Sequence, residues 1–501
     1  MGRPASFLLA VFLTLALFAL PNVKAERGYW AETYGGESYD TPWGVAVAPN
    51  GDIIAAGYTE KLGTNGDVWV LRFDENGTVK WQKTYGGSEW DEAIATGVAP
   101  NGDAIVAGYT ASFGVEVYRA WLLRLDPDGN VRWQRMYGNE YTHIASAVAV
   151  APDGDIVIAG YTNAPTHGGP GDVWVARLDP DGNVRWQITY GRKYEEDASA
   201  VAIAPNGDAV VVGLVETDTS DHDLLVLRLD PEGNLRWAKT YGGDDIDEGL
   251  SITTTHDDEI LVGGVTESFR EGGLDEALVL KLDGNGSVEW AKTFGKVSDG
   301  LNNEADSIAP TKEGDILVAG NYLFLLSPDG KLKWAGTGYW NFAYDESVDG
   351  VNTGMAPDGT VALVGIGLEG DSLLVARFDV GDVPGYSTKE GWRSVKLEVS
   401  DVDPEVRDYP GRVMKGAVKV RETGCVVHDT GVKLKLIWQS SGTSTGSQTG
   451  GETTGSQTGG VTSTEPPTGE TPSEGSGICG PGFIGLIAVA PLILRRMRRD
   501  P

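Results

Sequence analysis

An acid, or a histidine in its place, recurs nine residues before a proline: Asp40 before Pro49, Asp91 before Pro100, His143 before Pro152 and Glu196 before Pro205. Asp247, Glu304 and Asp345 occupy the corresponding stretches further along the chain. Carboxylates gathered on one rim would create a focus of negative potential. It could hold a hard cation such as Ca²⁺ through oxygen ligands, or draw in a cationic ligand. Two of them facing each other across a cleft at ~5–10 Å could hydrolyse a glycosidic bond. The aromatics beside them, Trp43, Trp90, Tyr141 and Tyr194, would suit a sugar face or a cationic amine. The competing reading is structural: each acid accepts backbone amides of its own turn.

Other chemistry is sparse. The histidines His143, His167, His222, His256 and His428 share no motif. The repeat region holds no Gly-x-Ser-x-Gly elbow, no His-Glu-x-x-His motif and no zinc-spaced cysteine set. Turns such as Asp126-Pro-Asp-Gly129 lack the alternating oxygen ligands and terminal Glu of an EF-hand. No cofactor is expected apart from Ca²⁺ at the acidic positions. The net charge of −32 excludes a nucleic-acid partner, which needs a basic surface to displace counterions.

These positions need a scaffold, and the repeat supplies it. Trp30, Trp81, Trp133, Trp186, Trp237, Trp290 and Trp334 recur at spacings of 51, 52, 53, 51, 53 and 44. Between them three strand-like runs return, as in Gly44-Val-Ala-Val-Ala, Asp52-Ile-Ile-Ala-Ala-Gly-Tyr-Thr and Asp67-Val-Trp-Val-Leu-Arg-Phe. Asn-Gly, Asp-Gly and Pro-Asp-Gly turns separate them. Four short antiparallel strands per unit of this length make a β-propeller blade. We label them a to d, with the repeat tryptophan on d. The tryptophans are expected to pack between blades. One d run precedes every a-b-c set and the last set lacks one. The predicted fold is therefore all-β: a seven-bladed propeller closed by residues 28–35 as the outer strand of the last blade. The short sixth blade leaves no room for an excursion between its b and c strands.

The repeats resemble the SBBP-type β-propeller repeats of prokaryotic cell-surface proteins. The residues that carry this are Ala-Gly-Tyr-Thr (56–59, 107–110, 159–162), Asp-Val-Trp-Val (67–70, 172–175) and Trp-Gln-Lys-Thr-Tyr-Gly-Gly (81–87). The resemblance implies a fold and leaves activity open. The c–d segments also resemble the tryptophan-docking motif of quinoprotein dehydrogenases (Asp179, Gly182, Trp186, Gly191). Seven repeats and no adjacent cysteines depart from that family.

The chain ends point to a compartment. Arg3, the apolar run 7–20 and Val23-Lys24-Ala25 read as a signal peptide (1–25) cut after Ala25. The propeller is expected over 26–381 and a lysine-rich small β module or stem over 382–438. A Ser/Thr/Gly-rich stalk at 439–477 is expected to be disordered. In 478–501, Cys479-Gly480-Pro481, a short apolar segment and Arg495, Arg496, Arg498 and Arg499 resemble the CGP-type C-terminal sorting signal of archaeal surface proteins. That resemblance implies lipid attachment at Cys479 and makes the cell membrane a partner. Asn76 and Asn285 lie in glycosylation sequons. The expected location is extracellular, anchored to the outer face of the cell membrane. The expected function is a non-catalytic binding or structural module for a ligand, glycan or envelope protein. The alternative is an extracellular carbohydrate-active enzyme using the acidic mouth.

Overall fold

The structure, a computed structural model, describes residues 30–34, most of 40–379 with breaks such as 338–351, and seven short strands between 393 and 439. The described residues contain strands and turns but no helix. They form a seven-bladed β-propeller. Blade 1 runs from strand a (Asp40–Val47) through b (Ile53–Thr59) and c (Asp67–Phe73) to d (Val79–Gly86). Blades 2 to 6 repeat the plan over 91–138, 143–191, 196–242, 247–295 and 307–337. Blade 7 takes a, b and c from 352–379 and its d strand from Trp30–Tyr34, which pairs antiparallel with Leu373–Asp379. The chain closes its ring as the repeat count predicts.

Strands b and c of blade 1 are buried at every residue, whereas strand d alternates over its first half. Adjacent blades cover both faces of the middle strands, so Ile-Ile-Ala-Ala-Gly-Tyr-Thr reads as a continuous apolar run. The short link in blade 6 is a tight turn, with the Gly320 amide donating to the Tyr322 carbonyl at 3.1 Å.

Two side-chain stitches join successive blades. The repeat tryptophan donates Nε1–H to a carbonyl in the next blade's c–d turn: Trp81 to Pro127 at 2.8 Å, Trp186 to Pro231 at 2.7 Å, and across the closure Trp30 to Glu75 at 3.2 Å. The tyrosine four residues on does the same, Tyr85 to Gly129 and Tyr241 to Gly286, each at 2.7 Å. Close packing forces glycine into these turns. Gly77 has φ +86°, and a Cβ there would lie 2.7 Å from Cδ2 of Trp30. The second stitch is buried arginine. Arg72, Arg124, Arg177 and Arg228 on strand c each donate Nε to the aspartate immediately before strand b (Asp52, Asp103, Asp155, Asp208) at 2.8 Å. Arg72 and Arg177 then extend Nη1 to Gly102 and Gly207 in the following blade. Blade 5 substitutes Lys281 paired with Glu259 at 2.7 Å.

The segment expected to form a separate module or stem (382–438) takes a different path. Its strands join the blades, one to each, as a fifth strand e outside d. They run backwards around the ring. Arg393–Ser394 pairs with blade 6, Glu398–Asp401 with blade 5, Glu405–Asp408 with blade 4 and Arg412–Lys415 with blade 3. Lys419–Glu422 then pairs with blade 2, Val426–Asp429 with blade 1 and Leu434–Gln439 with the closing strand Trp30–Tyr34 of blade 7. Strand twist makes this path feasible. Neighbouring strands rotate by about 20–25°, so four steps outward turn the chain direction by roughly 90°. Strand e is the outermost strand of each sheet, four strands out from a. We call this segment the strap.

Candidate functional site

The sequence-aligned acids take equivalent places at the start of the inner strands. Asp40, Asp91, His143, Glu196 and Asp247 each open strand a, paired with a residue at the end of strand b: Thr59, Thr110, Thr162, Val215 (the last but one of its strand) and Thr266. All five are buried, between 0 % and 2 % exposed. Three backbone amides bond the preceding blade: Asp91 to Gly66 O at 2.9 Å, His143 to Tyr118 O at 3.0 Å and Glu196 to Gly171 O at 3.2 Å.

Glu304 is not the sixth member of this set. The residue whose amide makes the equivalent bond in blade 6 is Asn303, to Asp275 O at 3.0 Å. Glu304 occupies the next position, matching Glu92 and Glu248: the carbonyls of all three press on the glycine of their own strand b or its end, Gly320, Gly108 and Gly264. Strand a of blade 6 is only four residues long, Ser307–Pro310. Asp345 lies outside the described residues.

The carboxylates are engaged in their own turns. Asp91 Oδ2 accepts the Gly87 amide at 2.7 Å and the Ser112 hydroxyl at 2.8 Å, and Oδ1 accepts from Thr110. Asp247 Oδ2 accepts from the Gly243 amide at 2.8 Å and Ser268 at 2.6 Å. Glu196 accepts from the Arg192 amide at 3.1 Å.

Three of these acids also meet a partner that the sequence reading missed, an aspartate at the start of strand c in the preceding blade: Asp67 and Asp172 open their strands and Asp223 is the second residue of its own. Asp67 Oδ1 and Asp91 Oδ2 lie 2.0 and 2.9 Å from where a Cβ on Gly86 would sit. Gly191 is flanked likewise by Asp172 and Glu196, and Gly242 by Asp223 and Asp247. These glycines end strand d in the repeated Tyr-Gly, and the close approach explains why no side chain fits there. Three blade junctions therefore hold a buried pair of carboxyl groups. Burial pushes Asp91 and Asp247 above the ordinary carboxylate range, against the hydrogen bonds that hold them down, and the neighbouring Asp67 or Asp223 adds to the rise. Each pair is buried at its junction, away from solvent.

The junction between blades 2 and 3 replaces both acids. Arg119 opens strand c and His143 strand a, around Gly138. Both bond the Tyr141 carbonyl, Arg119 at 2.7 Å and His143 Nδ1 at 3.1 Å. The imidazole stands edge-on to Trp174 at 5.3 Å. Burial lowers its pKa to about 4, with Arg119 adding to the shift, so the ring is neutral and carries its proton on the nitrogen facing Tyr141.

The acidic c–d turns are likewise occupied internally. Asp126 Oδ1 accepts the amides of Asp128 and Asn130 at 3.0 and 2.8 Å, an Asx-type turn. No group of three or more His, Cys, Asp or Glu side chains suited to a metal occurs among the described residues. At the other end of the inner strands, the a–b turns of blades 7, 1, 2 and 3 surround a cavity of about 370 Å³. Its lining is apolar, including Val47, Pro49, Pro100, Pro152 and Met355. Asn76 and Asn285 sit in exposed c–d turns. Ala25 and Cys479 lie outside the described residues.

On the face of the d–a turns, Trp90, Tyr141 and Tyr194 are half-buried on blades 2, 3 and 4. Trp90 donates to Glu92 at 3.0 Å and packs on Tyr58 at 5.1 Å. Lys193 lies over the Tyr194 ring at 4.3 Å.

A family model described as a domain of unknown function (DUF5122) beta-propeller matches residues 151–184, from the a–b turn to the c–d turn of blade 3. No curated protein matches the chain. Similar solved structures include a protein of unknown function from Bacteroides caccae, 11 % identical, with 61 % of this chain and 93 % of that one covered at a TM-score of 0.33. The Neurospora crassa Pan2 WD40 domain is 11 % identical over 67 % of this chain and 89 % of its own, TM-score 0.41. Sqt1 from Chaetomium thermophilum is 12 % identical over 73 % and 88 %, TM-score 0.43.

Proposed function

We propose that this propeller repeat protein is a non-catalytic module of the cell surface that binds carbohydrate of the envelope through the face of its d–a turns. One observation carries the binding role: a half-buried aromatic in the turn leading into each of three adjacent blades, Trp90, Tyr141 and Tyr194. Aromatic faces half open to water suit the apolar faces of sugar rings. The carboxylates of Asp91, Glu196 and Asp247 are bonded into their turns, which supports a structural role for these acids over a Ca²⁺ or catalytic one. The reading of the chain ends supplies the location: a signal removed after Ala25, glycans at Asn76 and Asn285, and a lipid on Cys479 that holds the ring outside the membrane on its stalk.

The test is a glycan array probed with the mature chain and with Trp90→Ala, Tyr141→Ala and Tyr194→Ala. Saturable binding of a glycan class, weakened about tenfold or more by each substitution, supports the role. No binding, or binding indifferent to all three, overturns it. Anchoring is tested separately: Cys479→Ser should move the protein from the membrane fraction to the medium, and retention in the membrane would refute the lipid attachment.

A further inference from the structure

The strap carries a numerical code. Trp392, Val399, Val406, Val413, Val420, Val427 and Leu434 are each seven residues apart. Six of these positions fall in described strands, and all six stand opposite the aromatic of the repeated aromatic-Gly pair on strand d. Val399 faces Phe294, Val406 faces Tyr241, Val413 faces Tyr190, Val420 faces Tyr137, Val427 faces Tyr85 and Leu434 faces Tyr34. A seven-residue period in one segment is thus registered on a period of 51–53 residues in another. Seven extended residues reach at most ~25 Å, which sets the distance the strap covers from one blade to the next.

Three consequences follow from this path. First, each e strand covers the d edge of its blade, which would otherwise present unpaired amides and carbonyls. Second, each e strand pairs with one blade only, and the four-residue strands are joined through three-residue links. Among the described residues no strap strand pairs with another strap strand, so each ladder can open by itself. Third, the end nearest the stalk, Leu434–Gln439, lies on the strand that closes the ring.

We propose that the strap is a mechanical clasp, which releases one blade at a time when the chain is pulled from the stalk and so spends load before the ring opens. Blade 7 is freed first, then blades 1, 2, 3, 4, 5 and 6, in the order set by the pairing. A propeller ending at strand d would pass tension from its stalk straight to blade 7; here the tension meets seven short ladders in series. The proposal depends on the strap's path alone. A failure of the lipid anchor or of glycan binding would leave it standing.

The experiment is a single-molecule force measurement on the mature chain, with one handle at the Gly114 loop of blade 2 and the other on the stalk. The expected trace is a staircase of small extensions, each about seven residues or roughly 25 Å of contour, before any blade unravels. Val413→Pro and Met414→Pro supply the control. Alternate residues of a strand direct their amides to opposite edges, so one of the two must delete an amide aimed at strand d. That variant should shorten the life of the fourth step about tenfold and leave the others unchanged. A single large release, a blade unravelling before the strap, or a change in every step at once would overturn the proposal.

Discussion

Arg377 in blade 7 donates Nη1 to the carbonyl oxygen of Gly51 in blade 1 at 3.1 Å, across 326 positions of sequence. Its other donors reach Thr360, Asp358 and the Glu75 carbonyl. The same arginine bonds join neighbouring blades elsewhere in the ring, but here they cross the seam where the chain's first strand meets its last repeat.

Replacing this group should weaken closure specifically. Arg377→Met removes charge-assisted bonds to buried acceptors, at about 1.5–3 kcal/mol for such a bond. We expect a lower melting temperature and faster proteolysis near Trp30. Arg377→Lys should recover little of the loss, since a single ammonium cannot span Thr360 and Gly51 together.

Gly77→Ala tests the tryptophan stitch. Its turn requires φ +86°, and the added methyl would meet Trp30 at 2.7 Å. Gly114 provides the comparison, with φ +73° and nothing within 4 Å of an added Cβ. Both substitutions carry the left-handed penalty of roughly 1–2 kcal/mol. Gly77→Ala should cost about 1–3 kcal/mol more through overpacking. Equal losses in thermal denaturation would show that Trp30 yields freely.

Two classes of buried aspartate should respond oppositely to pH. Burial raises Asp247 above its unfolded value. The native state then holds its proton more tightly, and stability from this group is lost as pH rises from the unfolded pKa through the folded one. Asp247→Asn should therefore gain on the parent protein between pH 4 and pH 8. Burial also pushes Asp208 up, but bonds from Arg236, Arg228 and Asn206 outweigh it and hold the pKa low. Its contribution is present above the unfolded pKa and disappears as pH falls through the folded one. Asp208→Asn should be most damaging at neutral pH and approach the parent in acid. Melting curves across pH 2–8 check both slopes, and parallel slopes for the two variants would refute the division.

Calcium should not be needed. The acids that open strand a accept bonds from their own turns, so EDTA or millimolar Ca²⁺ is expected to leave the melting temperature unchanged. A saturable upward shift, lost in Asp91→Asn, would restore the cation reading.

The ring was legible in the sequence because its signals are local and repeated. Trp81-Gln-Lys-Thr-Tyr-Gly gives a strand, an interblade hydrogen bond and a close-packed glycine within a few residues. The count of d strands then forced the closure at Trp30. The acidic positions were legible as positions, yet their chemistry was not. Asp67 and Asp91 are 24 residues apart and belong to different blades, so their meeting appears only when the blades are set side by side. In blade 6 the residue whose amide makes the equivalent interblade bond is Asn303, with Glu304 one position further on. The strap was hidden by its scale. Its valines recur every seven residues, a spacing that suggests neither the blade period nor a strand alternating every two. It becomes intelligible once the rim has turned through roughly a right angle.

The closing strand has a further consequence for how the molecule is made. Trp30–Tyr34 is the first described strand to leave the ribosome, and its neighbours on either side are Leu373–Asp379 and Leu434–Gln439. It must wait for more than 300 residues to be synthesised before its first partner exists, and for another 50 or so before its second. Contacts this remote in sequence fold slowly. The final pairing is therefore a completion signal: a chain truncated before residue 434 is left with an uncovered strand on its closing blade.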